Sequence, residues 1–318
     1  IIGARSFLVA YNVNLNTVDK RLATRIAFDI REKGRKRLDA AGKPLKDESG
    51  AEIWDPGLLA GIKAVGWTIP EFGCAQISIN VTDLAATPLH VVFDTCEERA
   101  RAHGLRVTGS ELVGLVPRQA LLDAGRHYLA RMGRSTGVPE SALIHVAVRT
   151  LGLSEVKPFD ARAAIIEARL ASPAPLVGMT LAGFADELSS DSPAPGGGSV
   201  AAYAGALAAG LAAMVANLSH PKRGFEARQP ALERVAVRGQ ELKDRLLAAV
   251  DADTAAFDQF LAAMRMPKES PEERAARDAA MIIATVATIE IPLGTLEACP
   301  EIVELCLEIG RASCRERV

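Results

Sequence analysis

Three observations predict an α+β chain in which a sheet-and-helix sandwich is followed by an all-α helical bundle. Over the first half, runs with a two-residue apolar period alternate with runs of four-residue period. The second half is rich in alanine and strings helical periods together with no strand signal between them. Between the halves, "ASPAPLVG" (171–178) gathers prolines and a glycine, the composition of a linker. At 318 residues the chain can form two domains, each with its own core. The expected boundaries are 1–170 for the sandwich, 171–178 for the linker and 179–318 for the bundle.

"FLVAYNVNL" (7–15) interleaves polar and apolar residues toward its end and reads as a strand. Val18, Leu22, Ile26 and Ile30 recur every four residues and predict a helix over 18–34. The polar stretch 38–57 is rich in turn formers and belongs on the surface. "IKAVGWTI" and "CAQISINV" flank the turn signal "PEFG", which makes a β-hairpin. Pro88 opens a helix over 88–103, and "RVTGSELVGLVP" supplies a strand and the loop after it. This βαββαβ order is the split βαβ of a ferredoxin-like sandwich. Further helices are expected at 117–132 and 139–150. In the second half, helices are expected at 180–189, 199–218 and 230–265, with another after "SPEE", a helix-start signal.

Hydrophobic residues make up 49% of the chain and charged residues 24%, which excludes a disordered chain. A net charge of −2 offers no basic field for nucleic acid. Cys74, Cys96, Cys299, Cys306 and Cys314 form no CxxC pair and lack histidines at zinc spacing, so free thiols in a reducing cytoplasm are expected, with no structural metal. The first residues do not follow a signal-peptide pattern. Residues 199–218 carry no charge. Their many alanines, with Ser199 and Asn217, suit a helix buried in a bundle better than a membrane span, so no membrane partner is expected.

Chemistry is suggested at two places. On the long helix, Leu246, Val250, Phe257, Leu261 and Met264 define an apolar face, and Asp253 falls on it. Asp251 lies about 200° away around the helix. An unpaired buried carboxylate costs several kcal/mol. Asp253 is therefore either satisfied by an arginine or hydroxyl, or it is an acid or base facing a cleft. The second place is "SPAPGGGSVAA" (192–202). Successive glycines let backbone approach a ligand, Ser199 is placed to cap the helix, and the first free N–H groups attract an anion or a carbonyl oxygen. A tight turn without ligand fits the same residues. In "SHPKRGF" (219–225), His220, Lys222 and Arg223 suit a solvated helix end or the carboxylates of a ligand.

Together these stretches resemble the formiminotransferase-cyclodeaminase family. "GARSFLVAYNVNLNT", "IKAVGW", "AQISINVTD", "TPLHVVFD", "TGSELVGLVP" and "VAVRTLGL" are similar to the C-terminal subdomain of the formiminotransferase. "PAPGGGSVAAYAGALAAGLAAMVANLS", "VDADTAAFDQFLAAMRMPK" and "SPEERAARDAA" are similar to the cyclodeaminase. The resemblance implies a folate enzyme of histidine breakdown with two reactions. A formimino group passes from N-formimino-L-glutamate to N5 of tetrahydrofolate. The product, 5-formiminotetrahydrofolate, then closes to 5,10-methenyltetrahydrofolate and ammonia. It also implies tetrahydrofolate, polyglutamylated, as co-substrate, no metal, a cytoplasmic location and a homo-oligomer.

Asp253 matches the second aspartate of the family's DxDxxAF motif, which implies that it is the cyclodeaminase catalytic residue. Gly196, Gly197, Gly198 and Ser199 match the glycine loop and would line the folate site with Asp251, while charge complementarity alone assigns Lys222 and Arg223 to its glutamate tail. The family's transferase histidine belongs to a preceding subdomain, and His90, in "TPLH", is not that residue. Ser110 and Glu111 lie in a matched loop. "GRASCRERV" (310–318) departs from the pattern and reads as non-native, so the bundle is expected to be truncated. The alternative to an active enzyme is a noncatalytic folate-binding or oligomerisation fragment.

Overall fold

The computed structural model describes residues 7–171 and 174–313. Its packing divides into two units. The first runs to Met132 and resumes over Glu140–Ala171, and the second takes Gly133–Pro139 and the chain from Ser172 on, so that the expected linker falls almost wholly in the second unit.

The first unit contains β1 (Val9–Leu15), α1 (Lys20–Ile30), β2 (Arg35–Lys36), β3 (Trp54–Asp55), β4 (Ile62–Ile69), β5 (Cys74–Val81), α2 (Leu89–Ala102), β6 (Val107–Val113), α3 (Arg118–Arg131), α4 (Glu140–Thr150), α5 (Ala161–Ala164) and α6 (Ile166–Leu170). Four strands form one sheet in the order β4-β5-β1-β6, with each neighbouring pair antiparallel. Strand alternation sends Val9, Tyr11, Val13, Ala75, Ile77, Ile79, Ile62 and Ala64 into the core, where Ile26 and Ile30 of α1 and Val92 of α2 meet them. Gly66 lets α1 approach, since a Cβ there would lie 2.3 Å from the Thr24 nitrogen. The hairpin turn is a 3₁₀ turn, Pro70–Phe72, closed by Gly73 in the left-handed region at φ 59°.

α1 is shorter than the four-residue period suggested. Asp19 caps its start through the Arg21 N–H at 2.7 Å, leaving Val18 exposed, and its end is set by a turn through Gly34 at φ 64°. The 38–57 excursion is exposed except at Ile53, Trp54, Asp55 and Gly57, which are partly buried at or beside the pairing of β3 with β2. Ser110 and Glu111 stand on β6 rather than in a loop.

The second unit is all-helical: α7 (Leu181–Leu188), α8 (Gly197–Ser219), α9 (Gln229–Met264) and α10 (Pro271–Ser313), with a 3₁₀ turn at Glu226–Arg228. Small residues set the α8–α9 spacing: a Cβ on Gly239 would meet the Ala209 oxygen at 2.9 Å and the Ala213 Cβ at 3.0 Å. The shared core is Ala206, Ala209, Ala212 and Ala216 of α8, Leu232, Val235, Leu242 and Leu246 of α9, and Ala298, Ile302, Leu305 and Ile309 of α10. Arg238 clasps Glu301 across α9 and α10 with two bonds of 2.5 and 2.9 Å.

α8 is only half buried, which differs from the expectation. Its alanine face turns inward because small side chains permit close approach, and Leu207, Leu211, Met214 and Leu218 are left exposed. Among the described residues two helices, Gly197–Ser219 and Pro271–Gly310, are long and apolar enough to cross a membrane by length and composition alone. Cys74, Cys96, Cys299 and Cys306 are free thiols. α10 continues through Ser313, and Cys314 with the rest of 314–318 lies outside the described residues.

Candidate functional site

The start of α8 and the middle of α9 meet at a carboxylate. Gly196 is the N-cap residue, with extended backbone at φ −118° and ψ −163°, and makes no side-chain cap. None of Gly196, Gly197 and Gly198 adopts a positive φ, so the triple glycine does not serve a left-handed turn. Its members differ in what surrounds them. A Cβ on Gly198 would lie 2.2 Å from Asp253 Oδ1, 2.5 Å from its Cγ and 2.6 Å from its Oδ2, whereas Cβ atoms on Gly196 or Gly197 would meet nothing within 4 Å. Gly198 is therefore the seat of the carboxylate, and its two predecessors border open space.

Ser199 corrects the expectation that it caps the helix. It lies inside the first turn of α8 and is fully buried, because its hydroxyl turns across to α9 instead of back to the helix start. Oγ is 3.0 Å from the Val250 carbonyl oxygen, 3.0 Å from Asp253 Oδ2 and 3.2 Å from Thr254 Oγ1. A buried hydroxyl without a partner costs about 1–3 kcal/mol, so these bonds also fix where the end of α8 rests.

Asp253 itself is partly buried, and Val250, one turn before it on α9 and joined to the same Ser199 hydroxyl, is nearly inaccessible. The apolar face read from the sequence holds at Leu246 and Val250 and then drifts. Ala256 and Ala263 are the buried residues beyond Asp253, while Phe257 and Leu261 are partly buried and Met264 is exposed.

Asp251 points away from the glycine loop, as its position on the helix dictates, and finds other work. Its Oδ1 accepts the Leu176 N–H at 2.8 Å and its Oδ2 the Val177 N–H at 3.4 Å. That clasp fixes one wall of a cavity of about 660 Å³, which is also lined by Phe184, Tyr203, Leu207, Lys243 and Val250. The walls are largely apolar, and Val250 belongs both to the cavity and to the Ser199 contact.

Lys222 and Arg223 are not brought to this place. They are exposed residues just past the far end of α8. The 23 residues of that helix span about 34 Å at 1.5 Å per residue. Charge alone joined them to the site in the sequence. Among the described residues no group of three His, Cys, Asp or Glu side chains is placed to hold a metal ion.

The sequence reading missed two clusters in the first unit. Asp94 accepts from the Tyr128 hydroxyl at 3.1 Å and from Arg131 at 2.7 Å, and pairs with His127 at 3.2 Å. His90 stacks on His127 with ring centroids 4.2 Å apart, and burial, with His127 adding to it, lowers its pKa from the ordinary histidine value. On the sheet face opposite the core, Gln76 donates to Asn14 at 2.8 Å, with Asn12 and Ser78 beside them. The two-residue alternation of "AYNVNL" and "CAQIS" carried the second signal; the first depends on tertiary contacts between α2 and α3.

Residues 10–171 match the family model for the formiminotransferase domain, and residues 180–316 match that for formiminotransferase-cyclodeaminase. Formimidoyltransferase-cyclodeaminase of Gallus gallus is 39% identical over 295 residues, covering 92% of this chain and 51% of that protein. The Mus musculus protein of the same name is 36% identical over 320 residues, covering 99% of this chain and 56% of its own length. A crystal structure of formiminotetrahydrofolate cyclodeaminase from Thermotoga maritima aligns at 27% identity and a TM-score of 0.30, covering 42% of this chain and 69% of that one. The chain spans about half the length of the curated relatives it matches. Both halves carry the match in the same order, and the chain belongs to the formiminotransferase-cyclodeaminase family.

Proposed function

We propose that the helical unit is a cyclodeaminase that closes 5-formiminotetrahydrofolate to 5,10-methenyltetrahydrofolate with release of ammonia, and that Asp253 is its catalytic residue. The observation that carries this reading is the carboxylate seated against Gly198 beside the open approach at Gly196 and Gly197. In the reaction N10 attacks the formimino carbon and a new C–N bond forms. A proton leaves N10, a proton reaches the departing nitrogen, and the old C–N bond breaks to give ammonia. One carboxylate beside the cationic carbon stabilises its charge, takes the first proton and returns it to the leaving group. The neighbouring apolar cavity has a volume in the range that small-molecule sites occupy, and Asp251 serves the folate indirectly by fixing its wall.

The first unit is assigned to the C-terminal subdomain of a formiminotransferase, acting on N-formimino-L-glutamate and tetrahydrofolate. The strand order β4-β5-β1-β6, with α1 between β1 and β4 and α2 between β5 and β6, supports reading it as a split βαβ sandwich. Free thiols at the described cysteines support a reducing cytoplasm. Homo-oligomerisation is supported by α10, where Ile282, Val286, Ile289, Leu293 and Leu296 form an exposed stripe at alternating four- and three-residue spacing.

The test is addition of 5-formiminotetrahydrofolate to the purified protein, with ammonia and the methenyl product measured together. Equal release of both supports the enzyme. Folate binding without ammonia points to a noncatalytic binding module instead.

A further inference from the structure

The hydroxyl of Ser199 faces more acceptors than it has protons. A serine hydroxyl carries one hydrogen and two lone pairs. Oγ of Ser199 stands 3.0 Å from the Val250 carbonyl and 3.0 Å from Asp253 Oδ2, with Thr254 Oγ1 at 3.2 Å. It can donate to only one of the two acceptors, while Thr254 is free to donate into its lone pair.

We propose that Ser199 is a positioning residue that follows the protonation state of Asp253 by turning its hydroxyl between the carboxylate and the Val250 carbonyl. The inference rests on the reading of Asp253 as the group that accepts and returns a proton. While the carboxylate is ionised, a charge-assisted bond is roughly twice as strong as a neutral one, and Ser199 donates to Oδ2. Once the carboxyl holds the proton taken from N10, its pull falls to that of a neutral acceptor. The amide carbonyl of Val250, at the same distance, then takes the hydroxyl hydrogen. A proton that lands on Oδ2 itself is donated to the Ser199 oxygen. When the carboxyl gives its proton to the departing nitrogen, the hydroxyl turns back. No proton is gained or lost by Ser199 at any point.

The geometry suits this role because the backbone need not move. Ser199 is fully buried in the first turn of α8, and both acceptors sit one turn apart on the continuous helix α9. Rotation about a single Cβ–Oγ bond changes the partner while the carboxylate keeps its seat against Gly198. A residue whose only task was to pin α8 to α9 would need the Val250 bond alone.

The experiment labels the protein with ¹³C-aspartate and follows the Asp253 carboxyl signal, assigned by its loss in Asp253→Asn, across pH in wild type and Ser199→Ala. Removing a donor to the ionised form disfavours that form. The expected result is an upward move of the titration midpoint in Ser199→Ala. The acid limb of the kcat profile should move by the same amount, and KM should stay within about twofold because the Ser199 hydroxyl is fully buried and its bonds all go to α9. Superimposable carboxyl titrations in folded Ser199→Ala and wild type would overturn the proposal, leaving the hydroxyl as a clamp on Val250. Should the alanine variant fail to fold, Ser199→Cys, which keeps the bulk with a weaker donor, carries the same test with the same two outcomes. Undiminished kcat in Asp253→Asn would instead sink the reading beneath it, and the carboxyl titration would still decide what Ser199 does.

Discussion

Gly198 and Asp253 occupy each other's space: the position a Cβ would take on the first is 2.2 Å from Oδ1 of the second. No side-chain rearrangement at residue 198 relieves that, since the intruding atom would be fixed to the backbone of α8. The carboxylate is placed by the absence of an atom, with the Ser199 hydroxyl holding its other oxygen.

Gly198→Ala should displace the carboxylate without abolishing the fold, because the bundle core lies further along α8. A displacement of this kind costs roughly a hundredfold in kcat. Gly197→Ala, which would meet nothing within 4 Å, should keep the unliganded fold and serves as the control for it. Steady-state ammonia release and circular dichroism on both variants check the pair.

Asp251→Ala should loosen the turn at Leu176 and Val177 by removing the acceptor of both N–H groups. The expected loss is about 1–3 kcal/mol from unfolding of the helical unit. Asp251→Asn keeps one acceptor oxygen and should lose less. Urea titration followed by far-ultraviolet dichroism measures both, and equal stability of Asp251→Ala and wild type would remove the clasp from the picture.

The first unit should weaken as pH falls. Burial, then His127, lowers the pKa of His90, so the unfolded chain takes up the proton first. Its contribution to stability is complete above the free-histidine value of about 6.5 and declines below it. His103, lowered by burial and by Arg99, acts in the same direction. Both tryptophans, Trp54 and Trp67, lie in this unit, so their fluorescence reports its unfolding alone. His90→Asn should make the acid side of the stability curve shallower, with the His103 share remaining.

Ile289 and Leu296 stand exposed on one stripe of α10. If that stripe is covered by another copy, Ile289→Glu with Leu296→Glu should lower the sedimentation coefficient toward that of a monomer while helicity is retained. An unchanged coefficient would move the interface elsewhere.

The four strands of the main sheet, most helices and the division into a mixed front unit and a helical second unit were legible because each is written in local period and turn chemistry, whereas the two-residue strands β2 and β3 are too short to show a period. α5 and α6, of four and five residues, are too short to show a period, and they rest on tertiary support such as the Val116–Ile165 bridge. Asp253 was visible as a charge on an apolar stripe. The reason for the triple glycine was not: three identical letters conceal one seat for a carboxylate and two positions beside open space. Ser199 was misplaced for a similar physical reason, since capping is the local option for a serine at a helix start and only the approach of α9 offers it better partners. Lys222 and Arg223 showed the opposite failure, because charge complementarity in a sequence carries no distance.

The most direct measurement is the kcat of ring closure in Asp253→Asn, which preserves the size and the hydrogen-bonding oxygen of the side chain but cannot take up a proton at neutral pH. With unfolding transitions matched to wild type, kcat should fall by about 10²–10⁴, the range spanned by a general acid–base group. Ring closure and ammonia release at the wild-type rate in that folded variant would contradict the assignment of Asp253 and, with it, the chemistry placed at the start of α8.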